Sequence, residues 1–130
     1  MFEDSPNFAD FSGADLIGAD LSETDLVGAN MSGANMSGAY LFYANLRGAD
    51  LVGANLFDAN MSGADLIGAN MSGADLSGAI LYSANLFYVN MFGADLSGAN
   101  LSGAAFDDNT TLPDGSKWTP DTDMSKFTNP

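Results

Sequence analysis

From Ala9 to Asp108 one short pattern of apolar and polar positions recurs twenty times without insertion or deletion. Each five-residue unit reads small, then Asp or Asn, then Leu, Met or Phe, then a variable residue, then usually Gly. Ala14-Asp15-Leu16-Ile17-Gly18 is one such unit and Ala74-Asp75-Leu76-Ser77-Gly78 another. A period of five suits neither regular element. Residues five apart lie on opposite faces of a flat strand. On an α-helix they advance by about 500°, which winds them around the whole surface. The large central residues, Phe11 through Phe106, share one interior only if the chain bends after every pentad. A flat, square circuit then takes four pentads, and circuits stack at about the strand spacing of ~4.8 Å. The pattern therefore predicts an all-β solenoid of about five coils over 9–108. They are coil one (9–28), coil two (29–48), coil three (49–68), coil four (69–88) and coil five (89–108).

The residue types suit these roles. Two places before each central residue stands Ala, except at Thr24 and Val89, because four converging walls leave room only for a small group. Asp or Asn just before the central residue can hydrogen-bond to nearby backbone at the bend. Gly in the last place suits a turn that needs φ > 0. It is replaced at Glu23, Tyr43, Asp58, Ser83, Tyr88 and Asp108, so those six corners are expected to use a different turn.

On these residues the chain resembles the pentapeptide-repeat family, whose consensus is A-(D/N)-L-x-x, over about three-quarters of its length. Twenty units in unbroken phase make the resemblance specific. It implies a right-handed quadrilateral β-helix, a handedness that spacing alone does not supply. For function it implies little, although some members resemble a DNA duplex in width and charge and so occupy bacterial DNA gyrase, conferring resistance to its inhibitors. Many members also end in a Thr-rich step followed by Pro-Asp-Gly, as this chain does at Pro113-Asp114-Gly115.

Two short segments flank the repeats. Residues 1–8 form a lead-in, with Phe2 or Phe8 placed to fold over the open end of coil one. In residues 109–130 the phase breaks after Asp108, and a turn signal follows at Leu112-Pro113-Asp114-Gly115. Thr119-Pro120 reads as an N-cap with Pro at the first helical position, predicting a short helix from about 120 to 127. A terminal solenoid coil exposes core and backbone edge, so Leu112, Trp118, Met124 and Phe127 are expected to cap it. The rival expectation is that this tail docks on a neighbouring molecule.

Composition removes several functions. With no Cys or His, and Lys only at 117 and 126, the usual bases and nucleophiles are missing, so no enzyme activity is expected. The carboxylates stand on convex outer walls and are expected to keep ordinary acidity. No cofactor is implied. No metal site is expected either, since the calcium-binding β-roll motif does not occur. The Asn-Met-Ser triplets at Asn30, Asn35, Asn60 and Asn70 are by-products of the repeat. Net charge is −14, with Arg47 as the third cation, which argues against direct binding to nucleic acid or an anionic membrane. The first residues lack the basic and apolar stretches of a secretory signal, so a cytoplasmic location is the default. A cleaved leader would leave an extracellular one open.

Two functions remain to be weighed. Outward positions carry Tyr40, Phe42 and Tyr43 in coil two, Phe57 in coil three, Tyr82, Phe87 and Tyr88 in coil four, and Phe92 in coil five. Phe42, Tyr43, Tyr82, Phe87 and Tyr88 are expected near one corner, and a contiguous apolar patch marks a contact surface. The first function is accordingly a structural module: a rod that self-associates end to end or laterally, up to a filament, or that scaffolds another protein. The second is duplex mimicry through Asp10, Asp15, Asp20, Asp25, Asp50, Asp65, Asp75 and Asp95. The five coils carry −5, +1, −3, −1 and −3 charges. Over ~24 Å that is one per ~2.2 Å, against one per ~1.7 Å in B-DNA. The distribution argues against mimicry, because coils two and four are nearly uncharged whereas phosphates are evenly spaced.

Overall fold

The computed structural model describes residues 8–129. Parallel bridges join the Asp/Asn position of each pentad to the residue twenty places on, from Asp10↔Asn30 to Asn85↔Ala105. One bridge every five residues and a partner twenty residues away define four walls per circuit. The first wall has Phe11, Met31, Leu51, Met71 and Met91 as its central residues, and the second Leu16, Met36, Leu56, Leu76 and Leu96. The third has Leu21, Leu41, Met61, Leu81 and Leu101, and the fourth Leu26, Leu46, Leu66, Leu86 and Phe106.

Each pentad spends its backbone groups in the same way. The central N–H donates to the next coil, as Phe11 does to the Asn30 carbonyl at 2.7 Å, and the last-position N–H follows, Gly13 to Ser32 at 2.9 Å. The Asp/Asn N–H donates back, Asn30 to the Ala9 carbonyl at 2.8 Å. A bond such as Ala14 N–H to the Phe11 carbonyl, 2.9 Å, closes each bend. That pairing lets a chain of short, turn-rich units bury its backbone. The central side chains from Leu26 to Leu96 are buried, as are the alanines from Ala29 to Ala84. Each buried Leu or Met contributes roughly 1.5–3 kcal/mol, which outweighs the poor local propensities of Gly and Asn.

The corners correct one expectation. Glu23, Tyr43, Asp58, Ser83 and Tyr88 do not use a different turn: their φ values of 57–61° match the left-handed conformation of the glycines they replace. The ladder bonds on either side fix that residue's backbone, so the side chain takes the strained conformation, at roughly 1–2 kcal/mol each. Where a β-branched residue follows such a corner, the turn bond stretches, to 3.4 Å at Thr24 and 3.3 Å at Val89.

Asp108 does depart from the pattern, because one extra residue enters there. Asn90 bridges to Thr111, twenty-one places on, and the ladder then resumes: Met91 N–H donates to the Thr111 carbonyl and Gly93 N–H to that of Pro113, both at 2.9 Å. Thr110 takes the alanine place and its hydroxyl donates to the Leu86 carbonyl at 2.7 Å. Leu112, 1 % exposed, is therefore a core residue of one further pentad and not a cover laid over the end. The repeat runs past Asp108, hidden in the sequence by the insertion and by Thr in place of Ala.

The chain then reverses. Lys117 pairs antiparallel with Thr111, and Trp118 N–H donates to the Thr110 carbonyl at 3.0 Å. The Trp118 ring stacks on Phe106 with centroids 5.8 Å apart. The expected helix is shorter and later: α1 spans Ser125–Thr128, a single turn. Thr119 closes a turn around Pro120-Asp121 instead of capping a helix, through Thr119 N–H to the Thr122 hydroxyl and Thr122 N–H to the Thr119 carbonyl, both 2.9 Å. Met124 and Phe127 pack against the interior, and the Thr128 carbonyl accepts Gly98 N–H at 2.7 Å. The tail thus covers the exposed edges of the first and second walls. At the opposite end Phe11, Leu16 and Leu21 stay half-exposed among the described residues. Phe8 lays its ring against Gly28 at a corner and remains 54 % exposed, while Phe2 lies outside the described residues.

Candidate protein-interaction surface

The outer face is set by what the Asp/Asn position does. From Asp10 to Asn100, all seventeen Asp or Asn residues there accept, through Oδ1, the N–H of the residue two places on, at 2.9–3.3 Å. Three pentads lack this acceptor because Tyr40, Ile80 or Ala105 stands in its place. At Ala105 the Thr110 hydroxyl substitutes, accepting Asp107 N–H. The other two exceptions, Tyr40 and Ile80, both lie on the third wall. Phe42 N–H and Tyr82 N–H accordingly have no acceptor among the described residues.

The third wall departs from the repeat in a second respect. Three of its five corner residues, Glu23, Tyr43 and Ser83, hold left-handed φ without being glycine. The Tyr43 ring leans over Gly63 so closely that a methyl group there would collide with it. Tyr40 and Phe42 meet edge to face at 6.5 Å, and Phe42 and Tyr43 at 6.4 Å. Tyr40, Tyr43 and Tyr82 are 48–66 % exposed.

The sequence placed five aromatics around one corner, and the structure divides them. Phe42 and Tyr43 pair with Tyr40, but Tyr82 stands two coils away, about 9.6 Å along the rod. Phe87 is on the fourth wall, and Tyr88 occupies the next corner, between the fourth and first walls. Neither forms a ring pair with the coil-two trio among the described residues. Phe57 belongs to the second wall, and Phe92, on the first, packs beside Gly115. Ile80 and the small trough of Asn60, Ser62 and Gly63 complete the third-wall surface. The register of twenty reveals them once their column is traced.

The carboxylates divide unevenly. Asp10 and Asp50 stand on the first wall, Asp15, Asp75 and Asp95 on the second, Asp20 on the third, and Asp25 and Asp65 on the fourth. Asp65 accepts from Arg47 Nε at 2.5 Å. Above Asp20 and Glu23 in coil one, the third wall bears no charged residue. The expectation of ordinary acidity is corrected at several carboxyls: hydrogen bonds from the Ser12 hydroxyl and N–H hold Asp10 below the usual range, and those from Ser97 do the same to Asp95. Asp20 is lowered by the Ser22 N–H. These shifts favour the charged form, the opposite of what a general acid needs. Among the described residues there is no pocket and no group of residues able to hold a metal ion, and no helix is long and apolar enough to cross a membrane.

A four-walled β-helix built of pentads, its interior full and its variation confined to the outside, defines the class. The family model for pentapeptide repeats matches in eight copies, over residues 7–41, 34–73, 59–98 and 90–108. The chain belongs to the pentapeptide repeat family and folds as a right-handed quadrilateral β-helix. Among solved structures it is similar to HetL, a pentapeptide repeat protein involved in heterocyst differentiation regulation in the cyanobacterium Nostoc sp. strain PCC 7120. Identity is 35%, over 86% of this chain and 65% of HetL, with a TM-score of 0.45. It is similar also to Rfr23 from the cyanobacterium Cyanothece 51142, with 38% identity over 68% of this chain and 63% of that one, TM-score 0.40. QnrB1, a plasmid-mediated fluoroquinolone resistance protein, is 25% identical over 78% of this chain and 59% of its own, TM-score 0.33. The chain thus spans just under two-thirds of the length of HetL and Rfr23. No curated protein matches it.

Proposed function

We propose that this protein is a non-catalytic structural module, a stiff rod that works by protein contact made through its third wall. One observation carries this reading. From coil two to coil five that wall is uncharged, with aromatics in coils two and four, and it is where Tyr40 and Ile80 displace the backbone acceptor that every other wall keeps through coil four. Residues that forgo a hydrogen bond worth about 1 kcal/mol on an outer wall, Tyr40 exposed and Ile80 half-buried, serve something other than the fold. Lateral contact is favoured over end-to-end growth, because the tail closes two walls at the C-terminal end. Duplex mimicry, which places the rod against a DNA-binding cleft, asks for carboxylates on all sides, and the third wall has none above coil one.

Hydroxyl-radical footprinting tests this function. Oxidation of Tyr40, Tyr43 and Tyr82 is compared between dilute purified protein and the protein in an extract of its own cells, with Tyr88 as internal reference. Selective protection of the three is expected in the extract or in purified protein concentrated to about 2 mM. Equal labelling of all four, both in the extract and in purified protein at about 2 mM, removes the proposal, and inhibition or protection of gyrase in a supercoiling assay would instead favour mimicry.

A further inference from the structure

We infer that a second copy of this chain covers the third wall, the two rods lying antiparallel about a twofold axis at the level of coil three. The inference deepens the contact function proposed above and rests on it. A chain of net charge −14 can meet its own copy only where carboxylates are sparse, and above coil one the third wall is the one wall free of them. In a twofold contact, if residue i meets j, then j meets i. With antiparallel rods, coil one therefore faces coil five, coil two faces coil four, and coil three faces itself.

The third wall is suited to that order and not to the parallel one. Its two acids, Asp20 and Glu23, sit in coil one. Its opposite end presents Asn100 and Ser102. The Asn100 Oδ1 is occupied by Ser102 N–H at 3.0 Å, whereas the Asn100 amide N–H groups and the Ser102 hydroxyl have no partner among the described residues. Antiparallel rods bring these donors to the other copy's carboxylates, twice per dimer. Parallel rods set coil one against coil one, with Asp20 of each copy against Glu23 of the other. In the antiparallel order the Tyr40-Phe42-Tyr43 ridge of one rod meets Ile80 and Tyr82 of the other. The small Asn60 and Ser62 row lies on the axis, where the Asn60 Oδ1 is taken up by the Ser62 N–H and hydroxyl at 3.1 and 2.8 Å and the amide N–H groups are left to donate to the other copy's Ser62 oxygen.

Area sets the strength. Five coils make a wall ~24 Å tall, and an extended run of about three residues makes it ~10 Å wide. The footprint of about 240 Å² falls well below the ~800 Å² per partner of a stable interface, so the dissociation constant is expected on the order of 0.1–1 mM.

The test is sedimentation equilibrium on the full chain from about 10 µM to about 2 mM, concentrations that bracket the expected constant. Mass rising from monomer towards dimer is expected, and Phe42→Ser with Tyr82→Ser should abolish the rise while circular dichroism shows the rod intact. Asn100→Lys sets a cation opposite the other copy's Asp20 and Glu23. It should tighten the dimer about tenfold beyond Asn90→Lys, a control on the first wall that reduces the net negative charge equally. A chain monomeric at the highest concentration overturns the dimer, as does an Asn100→Lys variant no tighter than the control. If the dimer fails while footprinting still shows protection of Tyr40 and Tyr82 in the extract, the wall serves a different protein and the contact function stands without this partner. If both fail, the contact function falls as well.

Discussion

The second and third walls are built from the same pentad, pack on the same interior and share the same ladder, yet they differ in nearly everything they show to solvent. On the second wall all five acceptor positions are Asp or Asn and each bonds the N–H two places on. Four of its five corners are Gly. On the third wall two acceptors are replaced by Tyr40 and Ile80, and three corners by Glu23, Tyr43 and Ser83. The interior dictates what points inward and leaves the outside free, so departures that cost stability, gathered on one wall, mark a surface kept for contact.

The comparison should vanish inside the rod, and that is where the largest effect lies. Leu76→Ala on the second wall and Leu81→Ala on the third both remove fully buried side chains. Each is expected to cost about 2–5 kcal/mol in denaturant unfolding, the two agreeing within about 1 kcal/mol. A large disparity would mean that the walls also differ in packing.

At the corners the contrast should reappear. Gly33→Ala, with nothing near its added methyl, is expected to lose only the roughly 1–2 kcal/mol of left-handed strain. Gly63→Ala suffers the same strain and also meets the Tyr43 ring, so it should cost about 1 kcal/mol more. In a Tyr43→Gly background that excess should disappear, which a double-mutant cycle reads directly.

A smaller effect separates the acceptor positions. Asn55→Ala on the second wall strands Phe57 N–H and should cost about 1 kcal/mol in thermal or denaturant unfolding. Tyr40→Asn supplies the missing acceptor for Phe42 N–H and loses one exposed ring contact, each worth about 1 kcal/mol, so stability should stay within about 0.5 kcal/mol of wild type. A loss as large as that of Asn55→Ala would show that Tyr40 supports the fold.

The smallest effect is the response to acid. Asp95 on the second wall has its carboxyl held below the 3.8 of a free one by the Ser97 hydroxyl and N–H. Because the folded value is the lower one, the contribution is complete above the unfolded value and is lost as pH falls through the folded value. Thermal unfolding of Asp95→Asn, compared with wild type from pH 7 to below 3.8, should therefore move in favour of the variant on acidification. No third-wall residue above coil one is a carboxylate that would give such a response.

What the sequence determined by itself is everything that repeats. A strict period of five, with one large apolar residue, one small residue and one turn residue per unit, leaves a single way to bury Phe11 through Phe106 together. The four walls follow from it. Tertiary structure decided what a period cannot encode. Glu23 and Tyr43 keep the glycine conformation because their ladder bonds to the neighbouring coil override local preference, and at Tyr88 the Asp107 carboxylate accepts the N–H in the ladder's place. Leu112 enters the core because one extra residue at Asn109 is absorbed at a corner, where backbone pairing is least continuous. The third wall became a surface only when residues twenty apart were stacked. Tyr40, Ile80 and Asn100, scattered along the chain, then shared one column and showed one uncharged face, because contact depends on position in the coil and not on distance in the sequence.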